Sequence, residues 1–169
     1  MIYQLKFTSE AAAAMYDGHV TYGSEAAAGF DLRACISEPV TILPGEQMTI
    51  PTGIALQRIN DGVSFHSYAG IVLPRSGRGS RDGLVLGNAA GVIDDDYQGE
   101  IILCVWARPT NSYVNVESRR VGGNILHIEP SERIEQYLIM PVMRPEFEVV
   151  SEFSAETKRG AGGFGSTGK

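Results

Sequence analysis

Residues 40–57 read VTILPGEQMTIPTGIALQ, and this stretch decides the fold class. The runs Val40–Leu43, Gln47–Ile50 and Gly53–Gln57 are short and rich in β-branched and apolar residues. Pro44-Gly45 and Pro51 separate them, and both are signals for a turn or a strand end. Short strands at close, even spacing are typical of an all-β sandwich or barrel.

The rest of the chain continues this pattern. Val63–Tyr68 alternates and is predicted to form a strand that ends at Ala69-Gly70. Glu100–Trp106 is apolar on both faces, which predicts a central strand covered on both sides. The sequence also predicts a strand at Arg133–Val142, an edge strand at Glu146–Val150, a short helix at Ser9–Met15, and a long hairpin or surface insertion within Pro109–Pro130.

Composition restricts the class of protein. The chain has 169 residues, which suits one domain, and 43% apolar and 20% charged residues, which suits a globular fold. Its net charge of −6 argues against a nucleic-acid partner. No apolar run approaches the roughly 20 residues of a membrane helix, so no membrane partner is expected. Met1–Lys6 lacks the features of a secretory signal and only two cysteines occur, so we expect a cytoplasmic location.

The first polar cluster, Pro74–Gly83, combines arginines, hydroxyls and glycines. Converging backbone N–H groups and arginine forks suit an anion. The alternative interpretation is a polar turn between strands.

The second cluster, Gly91–Glu100, carries three adjacent carboxylates, Asp94, Asp95 and Asp96, between glycines. Such a run can bind a cation, or it can hold one carboxylate as a general base. A solvated acidic hairpin is the alternative without a function.

The third cluster is the tail Arg159–Lys169, which is rich in glycine and contains one aromatic residue, Phe164. A flexible arm of this composition can fold over a ligand that has both a phosphate and a flat base. A disordered tail has the same composition, so that alternative stays open.

Taken in order, five short motifs resemble those of the trimeric deoxyuridine triphosphate nucleotidohydrolases, the dUTPases. The resemblance runs from Ala28 to the C-terminus. The matching segments are Ala28–Ala34, Pro74–Gly77, Gly83–Glu100, Glu132–Gln136 and Arg159–Gly168.

The resemblance implies a distorted jelly-roll β-barrel subunit in a homotrimer with a flexible C-terminal arm. Residues 1–153 would form the β domain, with an insertion around 109–130, and residues 154–169 the arm that closes the active site. The implied reaction converts dUTP and water to dUMP and pyrophosphate, which limits uracil incorporation into DNA and supplies dUMP for dTMP synthesis. Each active site would be shared between subunits.

Roles also follow from the resemblance, residue by residue. Asp94 matches the carboxylate that activates the attacking water. Mg²⁺ is implied on the triphosphate, with Asp31 touching its shell through water. The positions implied to bind substrate are Arg75, Ser76, Gly77, Asn88, Gly91, Val92, Ile93, Tyr97, Gln136, Arg159, Phe164, Gly165, Ser166 and Thr167.

The sequence departs from the family pattern at three places. Ser131 stands where the fourth motif usually has Gly, Glu135 stands where it usually has Ala, and the segment from Trp106 to Gln136 is longer than usual. Two alternatives remain: a dCTP deaminase-type relative, and a nucleotide-sensing regulatory or protein-binding module that uses the insertion. The pairing of Asp94 with Tyr97 favours hydrolysis over deamination.

Overall fold

A computed structural model describes residues 2–59, 67–109 and 123–163, with the backbone alone at 114–115 and 120–121. The regular secondary structure of the described residues is mostly β-strand, so the chain is all-β as predicted. The strands are β1 Ile2–Phe7, β2 Phe30–Arg33, β3 Val40–Ile42, β4 Gln47–Pro51, β5 Ile54–Ile59, β6 Ser67–Pro74, β7 Leu84–Leu86, β8 Gly91–Asp94, β9 Ile102–Ala107, β10 Val114–Asn115, β11 Arg120–Val121, β12 Leu126–Ile128 and β13 Arg133–Val142.

Two helical turns accompany the strands in the described part of the chain. Helix α1, Glu10–Met15, begins where the Ser9 hydroxyl accepts a hydrogen bond from the Ala12 N–H at 3.1 Å, a normal N-cap. A single π-helical turn covers Arg78–Asp82, within the first polar cluster. Within the described ranges, neither helix has the length and apolar character needed to cross a membrane.

The strands pair antiparallel throughout, and one sheet positions most of the site. Its order is β2-β13-β6-β8, so β2 and β8 are its two edges. The other sheets are β4-β9-β7, β1-β5, β3-β12 and the two-residue ladder β10-β11. The four-stranded sheet and the sheets β4-β9-β7, β1-β5 and β3-β12 share one apolar core, in which the Phe30 and Tyr137 rings stack 5.2 Å apart.

Most of the strand predictions are confirmed. Strands β3, β4, β5 and β13 lie where the sequence places them, and helix α1 lies within Ser9–Met15. Val63–His66 is outside the described residues, and β6 runs on to Pro74 rather than ending at Ala69-Gly70. Within the range 109–130, Leu126 and Ile128 are buried in strand β12, so this part belongs to the core.

Two predictions are wrong. Strand β9 is central, between β4 and β7, but the described residues of this chain do not cover both of its faces, because Ile102 points outward and is 55% exposed. Glu146–Val150 forms no strand, since its backbone finds no partner strand in the described part of this chain. Phe147 and Val149 there are 88% and 99% exposed.

The two single-residue departures have visible structural consequences. Ser131 adopts a φ of 66°, a left-handed conformation that glycine adopts without steric cost. Glu135 is completely buried at an irregularity in the pairing of β13 with β2, and neither carboxylate oxygen has a hydrogen-bond partner among the described residues. Burial raises the pKa of Glu135 to about 8, so the carboxyl is protonated in the folded protein at neutral pH.

Because burial raises the pKa of Glu135, we expect the free energy of unfolding to fall as the pH rises. The unfolded chain releases this proton near pH 4.5 and the folded chain near pH 8, so stability is lost as the pH rises through that window. The shift corresponds to at most about 5 kcal/mol, at about 1.4 kcal/mol per pKa unit. We expect urea unfolding between pH 5 and 9 to show this loss in the wild type and not in Glu135→Gln. Parallel stability curves for the two proteins would contradict the prediction.

Candidate active site

The acidic cluster forms a tight turn at the edge of the four-stranded sheet. Asp94 is the last residue of β8, opposite Ala69 of β6, and its side chain is exposed. The Tyr97 N–H donates to the Asp94 carbonyl oxygen at 3.1 Å, which closes the turn. The Asp94 carboxylate is therefore free to meet a ligand from a backbone position that is fixed.

Beside this turn lies a cavity of about 180 Å³. Asp94 and Tyr97 line it together with apolar side chains of β8 and β9, and the full lining is Val92, Ile93, Asp94, Tyr97, Glu100 and Ile102. The Tyr97 hydroxyl donates to the Glu100 carbonyl oxygen at 3.0 Å, and a Cβ at Gly99 would overlap that hydroxyl. The glycine thus makes room for the ring, and the hydrogen bond fixes it against the cavity.

Asn88 lies in the turn that joins β7 to β8. The Ala89 N–H donates to the Leu86 carbonyl oxygen at 3.1 Å, and Ala89 has a φ of 66°. The Gly87 N–H donates to the Cys104 carbonyl oxygen at 2.7 Å, which fastens the turn to β9. The Asn88 side chain is exposed beyond these bonds.

A second group of site residues surrounds Asp31 on β2. Its carboxylate accepts hydrogen bonds from Arg75 Nε at 2.9 Å and from Arg133 Nη1 at 3.1 Å. The Gln136 amide donates to the Pro74 carbonyl oxygen at 3.2 Å and so holds the backbone just before Arg75. Asp31, Arg75 and Gln136, predicted from separate motifs, are therefore brought together.

Arg133 is a member of this group that the sequence interpretation did not assign. It stands in the fourth motif, between Glu132 and Ile134, and it faces the Asp31 carboxylate from the strand next to β2. Its position within the motif was the available signal. Ser76 and Gly77 follow Arg75 directly, and the Ser76 side chain is exposed.

The arm is described only in part. Phe164, Gly165, Ser166 and Thr167 lie outside the described residues. The Arg159 side chain is exposed, and its Nε donates to the Gly162 carbonyl oxygen at 2.8 Å. Residues 143–153 precede the arm, and the side chains of Met143, Phe147 and Phe153 in this segment are about nine-tenths exposed.

The acidic triplet does not form a metal site. Among the described residues, no group of three or more His, Cys, Asp or Glu side chains could hold a metal ion. Asp95 is bound to Arg58, whose Nη2 lies 2.7 Å from the Asp95 carboxylate, so the three carboxylates do not converge. The described residues therefore do not support the interpretation of Gly91–Glu100 as a cation site.

The two halves of the site are far apart within one chain. Asp94 lies opposite Ala69 of β6, and Arg75 follows Ala69 by 75 − 69 = 6 residues. At about 3.3 Å per residue along a strand, their Cα atoms are roughly 20 Å apart. The Arg75 guanidinium also reaches toward Asp31 on β2, at the opposite edge of the sheet.

The chain is similar to proteins of one known family. The family model described as dUTPase matches residues 18–168. The deoxyuridine 5'-triphosphate nucleotidohydrolase of Psychrobacter sp. (strain PRwf-1) is 46% identical over 149 residues, covering 88% of this chain and 85% of the relative. Among solved structures, a variant dUTPase of Staphylococcus bacteriophage 80alpha with dUpNHpp has a TM-score of 0.76 at 27% identity, covering 99% of both chains.

A more distant structure shares the fold. A variant dUTPase from phage phi11 of S. aureus, described with a structural Mg(II) ion, has a TM-score of 0.66 at 24% identity. The match covers 92% of this chain and all of that one.

Proposed function

The chain belongs to the dUTPase family and is a dUTP diphosphatase, and from that premise we propose which residues carry its reaction. Water attacks the α-phosphorus of dUTP, the bond to the β-phosphate oxygen breaks, and dUMP and pyrophosphate leave. We assign the proton of the attacking water to the Asp94 carboxylate. The observation that carries this assignment is that Asp94 and Tyr97 line one cavity beside a fixed turn.

The nucleoside half of the substrate fits the β8 side. Val92, Ile93 and Tyr97 offer apolar surface to a base and sugar, and Gly91 leaves backbone groups accessible. The exposed Asn88 amide can both donate and accept hydrogen bonds, as a uracil edge requires. We assign Tyr97 to the deoxyribose, where its ring leaves no room for a 2′-hydroxyl.

Tyr97 therefore predicts sugar selection. We expect Tyr97→Ala to lower the ratio of kcat/KM for dUTP over UTP, because the space for a 2′-hydroxyl opens. Tyr97→Phe is the matched control, since it keeps the ring and loses only the bond to the Glu100 carbonyl. Steady-state kinetics with both nucleotides measures the ratio. An unchanged ratio in Tyr97→Ala would assign sugar selection to another residue.

The phosphate half fits the group around Arg75. Arg75 and Arg133 supply guanidinium charge, Ser76 a hydroxyl, and Gly77 an accessible backbone, directly after the strand that Gln136 holds in place. Arginine forks match phosphate geometry and neutralise charge that develops on the leaving pyrophosphate. We assign these residues, with the Gln136 amide, to the triphosphate.

Mg²⁺ fits the same place. This ion usually retains several waters and binds through substrate phosphates and one or two carboxylates, so a dense protein cage is not needed. Asp31 supplies such a carboxylate beside the phosphate-binding arginines, and we propose that it contacts the hydrated ion through water. The bound ion would neutralise charge on the phosphate oxygens.

We further propose a homotrimer of distorted jelly-roll subunits with active sites shared between them. The separation of roughly 20 Å along a strand between Asp94 and Arg75 supports this, because both are assigned to one bound triphosphate while the Arg75 guanidinium lies at Asp31, at the opposite edge of the sheet. A neighbouring subunit would supply one of the two groups. The exposed apolar residues of 143–153 support an arm that leaves its own subunit.

The arm would then close over the bound nucleotide. We assign Phe164 to stacking on uracil and Arg159, Gly165, Ser166 and Thr167 to the outer phosphates. Closure of such a lid excludes bulk water and completes the charge around the phosphates. We propose a cytoplasmic location, which the free thiols of Cys35 and Cys104 support.

One experiment tests the reaction directly. The purified protein is incubated with Mg²⁺ and each deoxynucleoside triphosphate in turn, and pyrophosphate and ammonia are measured. We expect pyrophosphate from dUTP and no ammonia from any substrate. Ammonia released from dCTP would instead assign the chain to the deaminases.

A further inference from the structure

The three adjacent carboxylates of the acidic turn have different surroundings. Asp94 and Asp96 are exposed, whereas the Asp95 side chain is only 15% exposed. Arg58 Nε lies 2.9 Å from both Asp95 carboxylate oxygens, and Arg58 Nη2 lies 2.7 Å from Oδ2. A solvated acidic hairpin would show no such partner, so Asp95 has a structural task that its neighbours lack.

Arg58 comes from a different sheet. It lies on β5, opposite Tyr3 of β1, while Asp95 directly follows β8 of the four-stranded sheet. The Arg58 guanidinium also lies 5.4 Å from the centre of the Tyr68 ring. Tyr68 precedes Ala69, the residue opposite Asp94. The ion pair therefore ties β5, β6 and the turn of Asp94 together.

The pair is stronger than an ordinary surface ion pair. The Arg58 side chain is only 14% exposed, so water competes little with the Asp95 carboxylate for the guanidinium. The hydrogen bond to Arg58 holds the pKa of Asp95 below its usual value, and the Asp95 carboxylate stays ionised. Charge-assisted, bidentate contacts of this kind fix the relative orientation of the two side chains as well as pairing their charges.

Tyr97, at the other end of the turn, has its own anchor. Its hydroxyl donates to the Glu100 carbonyl, and its ring lies against Gly99. Loss of the Arg58–Asp95 pair should therefore shift the Asp94 end of the turn more than the Tyr97 end. The chemical step and the binding of the nucleoside should respond differently.

We propose that Arg58 is a positioning residue that acts through Asp95 to hold the Asp94 carboxylate in line with the attacking water. The proposal rests on the catalytic role of Asp94 given above. Misplacement of a catalytic group by about 1 Å can cost up to about 100-fold in rate, so a displaced turn should be visible in kcat.

The test is a double-mutant cycle with Arg58→Ala and Asp95→Asn. We expect each variant to lower kcat for dUTP about tenfold and to leave KM within about twofold. The double variant should be no slower than either single variant, because all three lack the same contact. We expect Arg58→Lys to recover part of kcat, since the ammonium restores the positive charge but not the bidentate hydrogen bonds of the guanidinium.

Asp82→Asn is the matched control. Asp82 also pairs with an arginine, Arg78, at 3.1 Å, but in the π-helical turn rather than in the segment of Asp94. Thermal midpoints are measured for every variant. We expect the control to keep kcat within about twofold, because its ion pair is not attached to the segment of Asp94. Should Arg58→Ala fail to fold, the near-isosteric Asp95→Asn variant decides the question.

Folded variants with wild-type kcat, additive losses in the double variant, or an equal loss of kcat in the control would each overturn the proposal. Failure of the assigned role of Asp94 gives a different result from failure of the positioning role of Arg58. If Asp94→Asn is inactive while Asp95→Asn is fully active, only the positioning role is lost. If Asp94→Asn is itself active, the assignment of the base is wrong.

Discussion

Asp94→Asn is expected to lower kcat for dUTP at least about 100-fold while the nucleotide still binds. A general base of this kind contributes about 10²–10⁴ in rate, and a neutral amide cannot take the proton of the attacking water. The Asp94 side chain is exposed at the end of β8, so the substitution leaves the core and the turn bond from Tyr97 intact. Steady-state kinetics and titration with dUpNHpp separate the two effects.

Asp96→Asn is the matched control for this variant. It removes the same charge from the same turn, and the Asp96 side chain is also exposed. We expect a change of at most severalfold in kcat. Wild-type turnover by Asp94→Asn, or equal losses in both variants, would contradict the assignment of Asp94 as the base.

A chain that ends at Lys158 is expected to lose at least about 100-fold in kcat/KM for dUTP. The deletion removes Arg159 and Phe164 with the hydroxyls of Ser166 and Thr167, and therefore the proposed lid. An open site admits bulk water and loses the charge that the lid would place on the phosphates. The core lies entirely before this point, so the shortened chain should still fold.

The control for the deletion is a chain that ends at Gly168. It lacks only Lys169 and retains every residue assigned to the arm. Kinetics and circular dichroism are compared for the two shortened chains. Full activity in the chain that ends at Lys158 would show that the arm has no part in catalysis.

Local features of the fold could be predicted because their causes lie within a few residues. Pro44-Gly45 marks a turn, and Gly45 has a φ of 89°. The Ser9 hydroxyl caps α1 within its own first turn. The Asp94–Tyr97 turn is closed by a bond across three residues, so the motif that contains both residues already implied their juxtaposition.

Features that depend on distant partners could not be predicted. Arg58 on β5 and Asp95 in the turn after β8 are 37 residues apart, and Arg133 lies 102 residues from Asp31. The outward position of Ile102 depends on which face of β9 the rest of the chain covers. Glu146–Val150 has the composition of a strand, but a strand also needs a partner, and the sequence does not specify where that partner lies.

A subunit-mixing experiment tests most directly whether the site is shared between subunits, and it combines two variants that we expect to be inactive. Asp94→Asn and Arg75→Ala are unfolded together in equal amounts and refolded, and mixed oligomers are verified by native mass spectrometry. If one site takes Asp94 from one subunit and Arg75 from another, the chance that both are intact is ½ × ½, so about a quarter of wild-type activity should return.

A second mixture makes the test quantitative. Wild type is refolded with an equal amount of the double variant that carries both substitutions. Shared sites again predict about a quarter of wild-type activity, whereas sites built within one chain predict about half. We therefore expect about a quarter of wild-type activity in both mixtures. No activity in the first mixture and half in the second would show that each chain builds its own site.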